Sequence, residues 1–244
     1  MKARFLAITM LVLFLASCEK AIEPAQTDVP PVRSDLRLVL FLIVDQFRAD
    51  YLDRFEPIFQ NGFSRLKEKG VLFLDAHHNH AVTTTAAGHA TISTGTHPSR
   101  SGIISNRWFD RNRKTPMYCV EDDNWPLIDV DASQETGGRS PNNLQVSTLP
   151  DWMKKHWPDS KVFTASYKDR AAILLGGHAA SSAYWYDTGI FVTSSYYQSK
   201  NPLWLQAFNA QKLPKQHFGK LWEPLPVNVA TKKDLAIVQN NLGS

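Results

Sequence analysis

Leu38-Val39-Leu40-Phe41-Leu42-Ile43-Val44 is an unbroken apolar run that stops abruptly at Asp45. A run of this length without polar alternation fits a strand buried on both faces of a parallel sheet, with a buried helical segment as the alternative. Ligands in open α/β sheets gather at the carboxyl ends of strands. Asp45 is therefore a candidate functional residue by position alone.

Downstream, Asn61 to Lys69 predicts a short helix closed by Gly70, and Val71 to Leu74 a second strand. Thr85 follows a polar loop and stands where an N-cap would start a helix through Ala86-Ala87-Gly88-His89-Ala90-Thr91-Ile92-Ser93. The turn-rich stretch from Asn106 to Asp123 predicts an inserted hairpin. Pro141 to His156 predicts a helix with Leu144, Val146, Leu149 and Trp152 as its apolar residues, followed by a strand over Lys161 to Ser166. Ala183 to Tyr186 and Ile190 to Val192 flank Asp187-Thr188-Gly189, a second hairpin signal. The alternation predicts an α/β fold, a mostly parallel sheet flanked by helices, with inserted hairpin and cap segments. A length of 244 residues, 43% of them hydrophobic, suffices for a sizeable core.

Upstream, Lys2 and Arg4 precede an apolar stretch from Phe5 to Ala16 that is short for a bilayer span but has the order of an export signal. It ends in Leu15-Ala16-Ser17-Cys18, which resembles the lipobox of bacterial lipoproteins. That resemblance implies a lipoprotein signal peptide over 1–18, acylation of Cys18 and an exported protein held at a membrane surface by its N-terminal lipid, in the periplasm or at the outer membrane. The alternative is an ordinary cleaved signal. Residues 19–35 carry Pro24, Pro30 and Pro31 without apolar periodicity and read as a flexible tether, so the folded domain is expected over 36–244.

The formal net charge is +4, with Lys and Arg scattered among acidic residues, so nothing singles out nucleic acid as a partner. With Cys18 acylated, Cys119 has no disulfide partner; it lies in an apolar patch and is expected to be a buried small hydrophobe.

Taken singly, Asp45, Thr85 and His89 each have a structural explanation as caps or satisfied core groups. Their spacing changes that. Thr85-Ala86-Ala87-Gly88-His89-Ala90-Thr91-Ile92-Ser93-Thr94-Gly95, followed by Pro98 and Gly102-Ile103, resembles the nucleophile segment of the type I phosphodiesterase and nucleotide pyrophosphatase branch of the alkaline phosphatase superfamily. The resemblance implies that Thr85 is the nucleophile and a metal ligand, that Asp45 binds the same zinc, and that Asn106 hydrogen-bonds a phosphoryl oxygen. Lys168 and Arg170 resemble the Lys-x-Arg pair of phosphate-irrepressible alkaline phosphatases. A hydroxyl at a helix N-terminus suits this chemistry, because a metal lowers its pKa and the helix dipole favours the phosphoryl charge.

The implied function is zinc-dependent hydrolysis of small-molecule phosphate monoesters through a phosphothreonine intermediate, with two zinc ions in the complete site. A monoester dianion carries more charge than a diester, and Lys168 with Arg170 suits it. Phosphodiesterase or nucleotide pyrophosphatase activity is the alternative enzyme reading. Thr96-His97-Pro98-Ser99-Arg100 echoes a sulfatase motif, but the register of Thr94-Gly95 selects Thr85, leaving that segment as the loop after the helix. His77, His78 and His80 are expected to be loop histidines, His89 to be structural, and His178 has no assigned role.

The family's further zinc ligands are an Asp-x-x-x-His motif, an Asp-His pair and a distant histidine. None of the first two occurs here, and after His178 the sole histidine is His217. The chain is thus expected to be the N-terminal part of the family's domain, with the C-terminal part of the fold missing and little activity by itself. A catalytically dead, lipid-anchored protein that binds phosphate-bearing ligands is the alternative from a different class.

Overall fold

The computed structural model describes residues 36–130, 137–187 and 189–221, which divide into a unit ending at Val44 and a unit beginning at Asp45. The expected signal peptide, Cys18, the tether and the chain beyond 221 lie outside the described residues. Among those described, no helix is long and apolar enough to cross a membrane.

In the first unit, residues 36–44 have no regular secondary structure, and Leu38 and Leu40 are 79% and 80% exposed. The strand expected at Leu38–Val44 is therefore not formed. A strand exists through backbone pairing with a neighbour, and no described strand pairs with this run. The strand expected over Val71–Leu74 is absent for the same reason, with Phe73 80% exposed.

The second unit opens with α1 (Tyr51–Arg54), a 3-10 turn over Glu56–Ile58 and α2 (Gly62–Lys69), which ends at Gly70 as expected. Then come α3 (Thr85–Thr94) and the short α4 (Pro98–Ser101), which occupies the segment expected to be loop. Pro98 at the first helical position explains α4, since its fixed φ is already helical and its missing N–H is not needed there. The predicted first hairpin is present as β1 (Arg107–Asp110) and β2 (Thr115–Tyr118), paired antiparallel.

Next are α5 (Leu149–His156), β3 (Phe163–Ser166), α6 (Asp169–Gly176), β4 (Ser182–Asp187), β5 (Ile190–Val192), α7 (Leu203–Ala210) and α8 (Leu213–His217). β3 pairs parallel with β4, the right outcome for a strand–helix–strand unit, and β4 pairs antiparallel with β5 as the second predicted hairpin. The fold class is α/β as expected.

α5 is shorter than the helix predicted from Pro141. A capping box sets its start: the Thr148 side chain accepts from the Asp151 N–H, and Asp151 accepts from the Thr148 N–H at 2.8 Å. Gly177, at φ +68, closes α6 beside this box, and a Cβ there would lie 2.1 Å from Thr148 Oγ1.

The core gathers Ala86 and Ala90 from α3, Ile173 and Leu174 from α6, and Ile103, Val120, Trp185 and Val192 around them. Fully burying an Ile or Leu side chain contributes about 1.5–3 kcal/mol. Small residues on α3 let it lie close to α6, and the buried Ser93 hydroxyl donates to the Leu174 carbonyl at 2.7 Å across the contact. This helix pair carries the site: Thr85 begins one helix, and Lys168 and Arg170 flank the start of the other. Cys119 is fully buried and its thiol pKa is pushed up to about 12, mainly by burial, so it is the inert hydrophobe expected.

Candidate active site

Thr84, in extended conformation, takes the N-cap position, and Thr85 is the first residue of α3, one position inside the cap expected for it. The half-buried Thr85 therefore sits at the positive end of the helix with its hydroxyl free for longer-range partners. It donates to Asp45 Oδ2 at 3.1 Å. Asp45 lies at a sharp turn, with Gln46 next to it in the left-handed region at φ 62. Lys168, the residue before α6, places Nζ 2.6 Å from the same Asp45 oxygen and 3.4 Å from Thr85 Oγ1. Three groups that lie far apart in sequence thus meet at one point.

Burial alone would raise the Asp45 pKa, but the Lys168 ammonium and the Thr85 hydroxyl outweigh it and hold the carboxyl below its ordinary range. Asp45 is then a carboxylate, and the Thr85 proton points at it. Asn106, immediately before β1, accepts the Ala86 N–H on Oδ1 at 2.9 Å. With its oxygen spent on the helix, its amide N–H groups are the part left for a ligand.

Arg170 stands in the first turn of α6 and bonds neither Asp45 nor Thr85 among the described residues. Its Nη1 donates to the Tyr118 hydroxyl at 2.9 Å, and that hydroxyl donates to Asp169 Oδ1 at 2.5 Å. Asp169 Oδ2 accepts Arg139 Nε at 2.7 Å. Asp169 is thus the hub of a largely buried network. Tyr118, Arg139 and Asp169 carry no signal in the sequence, since Tyr118 and Arg170 belong to elements that only the folded chain brings together.

The histidines fall as expected where they were assigned. His77 and His80 lie in loop, bonded to Asp75 and to the Val82 carbonyl. His89 is buried, bonds the Thr85 carbonyl at 2.8 Å, and burial lowers its pKa, which makes it a neutral structural group. His178 is a second clamp, with Nδ1 3.4 Å from Asp151 and Nε2 3.0 Å from the Leu144 carbonyl.

A carboxylate and a hydroxyl oxygen meeting as Asp45 and Thr85 do are chemically suited to a divalent cation. They are two donors, however, and no group of three or more His, Cys, Asp or Glu among the described residues could hold a metal ion. The described residues thus supply two oxygen donors and no third ligand of these types.

The family described as type I phosphodiesterase / nucleotide pyrophosphatase matches residues 39–240. The chain is 39% identical over 240 residues to alkaline phosphatase PhoV of Synechococcus elongatus, an alignment covering 95% of this chain and 43% of the relative. It is 37% identical over 201 residues to alkaline phosphatase PafA of Elizabethkingia meningoseptica, covering 80% and 37% of the two. The crystal structure of wild-type PafA superposes with a TM-score of 0.71 over 78% of this chain and 37% of that one. A second PafA structure, bearing replacements of a threonine, an asparagine, a lysine and an arginine, gives the same TM-score over 76% of this chain. The chain spans less than half the length of these relatives. The sequence match, the shared fold and the extent of both carry one conclusion: the chain belongs to the type I phosphodiesterase / nucleotide pyrophosphatase family.

Proposed function

We propose that this chain is the N-terminal part of a zinc-dependent phosphate monoester hydrolase in which Thr85 is the nucleophile and Lys168, Arg170 and Asn106 hold the phosphoryl oxygens. The observation that carries the reading is the convergence of Thr85 Oγ1, Asp45 Oδ2 and Lys168 Nζ at the N-terminus of α3. It is supported by the substituted PafA structure, whose threonine, asparagine, lysine and arginine follow one another at the same intervals as Thr85, Asn106, Lys168 and Arg170.

In the proposed reaction the Thr85 hydroxyl gives up its proton to solvent, its oxygen attacks phosphorus, the bond from phosphorus to the ester oxygen breaks, and the leaving alkoxide takes a proton from water to depart as the alcohol. Water then cleaves the phosphothreonine and releases phosphate. Asp45 orients the threonine hydroxyl and pairs with the Lys168 ammonium, Lys168 neutralises phosphoryl charge beside the nucleophile, and the Asn106 amide donates to a phosphoryl oxygen. Asp45 and Thr85 would hold zinc in part, and the bound ion would lower the hydroxyl pKa as a threonine nucleophile needs. The remaining ligands, an Asp-x-x-x-His motif, an Asp-His pair and a distant histidine, are proposed to come from further chain.

The family's diester-cleaving members supply the second reading; the paired cations Lys168 and Arg170 favour the monoester. We also propose acylation at Cys18 and residence at the periplasmic or outer-membrane surface, on the Leu15-Ala16-Ser17-Cys18 motif. Sequencing the gene in frame past Ser244 tests the partial-chain reading, with an Asp-x-x-x-His motif expected and a stop codon against it. On protein carrying those ligands and zinc, an aryl phosphate monoester is turned over faster than the matching diester, and Thr85→Ala removes the turnover. Activity surviving in Thr85→Ala, or diester preference, breaks the reading.

A further inference from the structure

Arg170 is placed by groups outside the reacting centre, and the way it is placed has consequences for ligand binding. Its guanidinium is fixed at one corner, by the Nη1 bond to Tyr118, while its buried Nε makes no hydrogen bond among the described residues. A guanidinium offers five N–H donors in a rigid plane, so fixing one corner and leaving the rest sets the direction of the remaining fork. Tyr118 is suited to this task. It ends β2, is 8% exposed, and the guanidinium groups of Arg107 and Arg139 lie 4.7 and 5.2 Å from its ring centre.

The hydroxyl of Tyr118 works in both directions, accepting from Arg170 and donating to Asp169. Asp169 in turn is committed on both oxygens: Oδ1 also takes the Arg170 backbone N–H at 2.7 Å, and Oδ2 takes Arg139. Arg139 is itself tied to the Gly137 and Gly138 carbonyls at 3.1 and 2.9 Å. Each member of the chain is therefore fixed by the next, from the backbone at Gly137 to the guanidinium of Arg170. Buried charges are tolerated when paired and hydrogen-bonded in this way, and the Asp169–Arg139 pair, with side chains 13% and 11% exposed, meets that condition.

We infer that Tyr118 and Asp169 are positioning residues for phosphoryl binding, acting through Arg170: the Tyr118 hydroxyl sets the orientation of the guanidinium fork, and Asp169 with Arg139 sets the hydroxyl. This rests on the proposed role of Arg170. Burial, followed by the neighbouring Asp169 charge, pushes the Tyr118 pKa up, so the hydroxyl keeps its proton for Asp169. Tyr118→Phe removes the oxygen and keeps the ring against Arg107 and Arg139, which preserves the packing and deletes the bond to Arg170 together with the one to Asp169 that orients the hydroxyl. Without it the guanidinium regains side-chain freedom that must be lost again on binding, the cost that preorganisation avoids.

The experiment is a double-mutant cycle on the full chain, with inorganic phosphate as the ligand and the dissociation constant read from NMR shift perturbation. Tyr118→Phe is expected to weaken phosphate binding roughly threefold to tenfold in the native background, and to have no effect in the Arg170→Ala background. Asp169→Asn is expected to show the same dependence on Arg170, so a folding defect in one variant leaves the other as a test. Equal losses in both backgrounds, or no loss in the native one, overturn the inference while leaving the role of Arg170 standing. Phosphate binding unchanged by Arg170→Ala itself overturns both.

Discussion

Residues 36–74 are richer in aliphatic side chains than residues 85–192, yet the second stretch is the one that buries its own. Ile173, Leu174, Trp185 and Val192 are at most 1% exposed, whereas Leu40, Val71, Phe73 and Leu74 are 80% exposed or more. The difference is in partners. β3 and β4 pair with each other, α3 and α6 cover each other, and each element buries its apolar face because another is there to receive it. The earlier runs have no ladder partner among the described residues, so their pattern does not become strand or core. An apolar pattern states a requirement for burial, and only a neighbouring element meets it.

The contrast can be broken by mutation. Leu174→Ala, in the fully buried centre of α6, is expected to cost about 2–5 kcal/mol, read as a fall in the urea midpoint. The next effect is a pH dependence from the clamp at Gly177. Burial would raise the Asp151 pKa, but bonds from His178, Thr148 and Ala179 hold it down to about 2, below its usual 3.8. Its contribution, about 2 kcal/mol by linkage, is present above the unfolded value and lost as pH falls through the folded one. The bond to Asp151, opposed by burial, raises the His178 pKa above 6.5, so that contribution is full below 6.5 and lost as pH rises through the folded value. The clamp is therefore strongest between these limits, and His178→Gln should flatten the alkaline arm of a plot of urea midpoint against pH. An unchanged arm would assign that pH dependence elsewhere.

Smaller again is Thr148→Ala, which removes the α5 capping box and is expected to cost about 1 kcal/mol in the same urea assay. At the far end, Leu40→Ser should change stability by less than about 0.5 kcal/mol. A cost for Leu40→Ser near that of Leu174→Ala would show the run buried in solution and erase the contrast between the two regions.

What was legible in the sequence was what local rules or spacing encode. α2 with Gly70 and both hairpins have their turn residues in place, and Thr85, Asn106, Lys168 and Arg170 stand at intervals that a family resemblance could read. Asp45, Thr85 and Lys168 are brought within hydrogen-bonding distance by the fold. The Tyr118–Asp169–Arg139 network was not legible, because nothing local to β2 says which helix its hydroxyl will meet. The start of α5 was missed because apolar spacing from Leu144 suggested a longer helix, while the Thr148 and Asp151 side chains fix the first turn instead. Leu38–Val44 has the pattern of a strand and forms none, because strand propensity says nothing about whether a pairing partner is present.

The central proposal is that Thr85, Asn106, Lys168 and Arg170 hold the phosphoryl group while Asp45 and Thr85 supply only part of a metal site among the described residues. Its most direct test is the zinc content of the purified chain after equilibration with zinc, measured alongside hydrolysis of an aryl phosphate monoester by the chain and by Thr85→Ala. The account predicts substoichiometric zinc and no difference in turnover between the two proteins. Stoichiometric zinc with turnover that disappears in Thr85→Ala would contradict it, showing that this chain completes its own metal site.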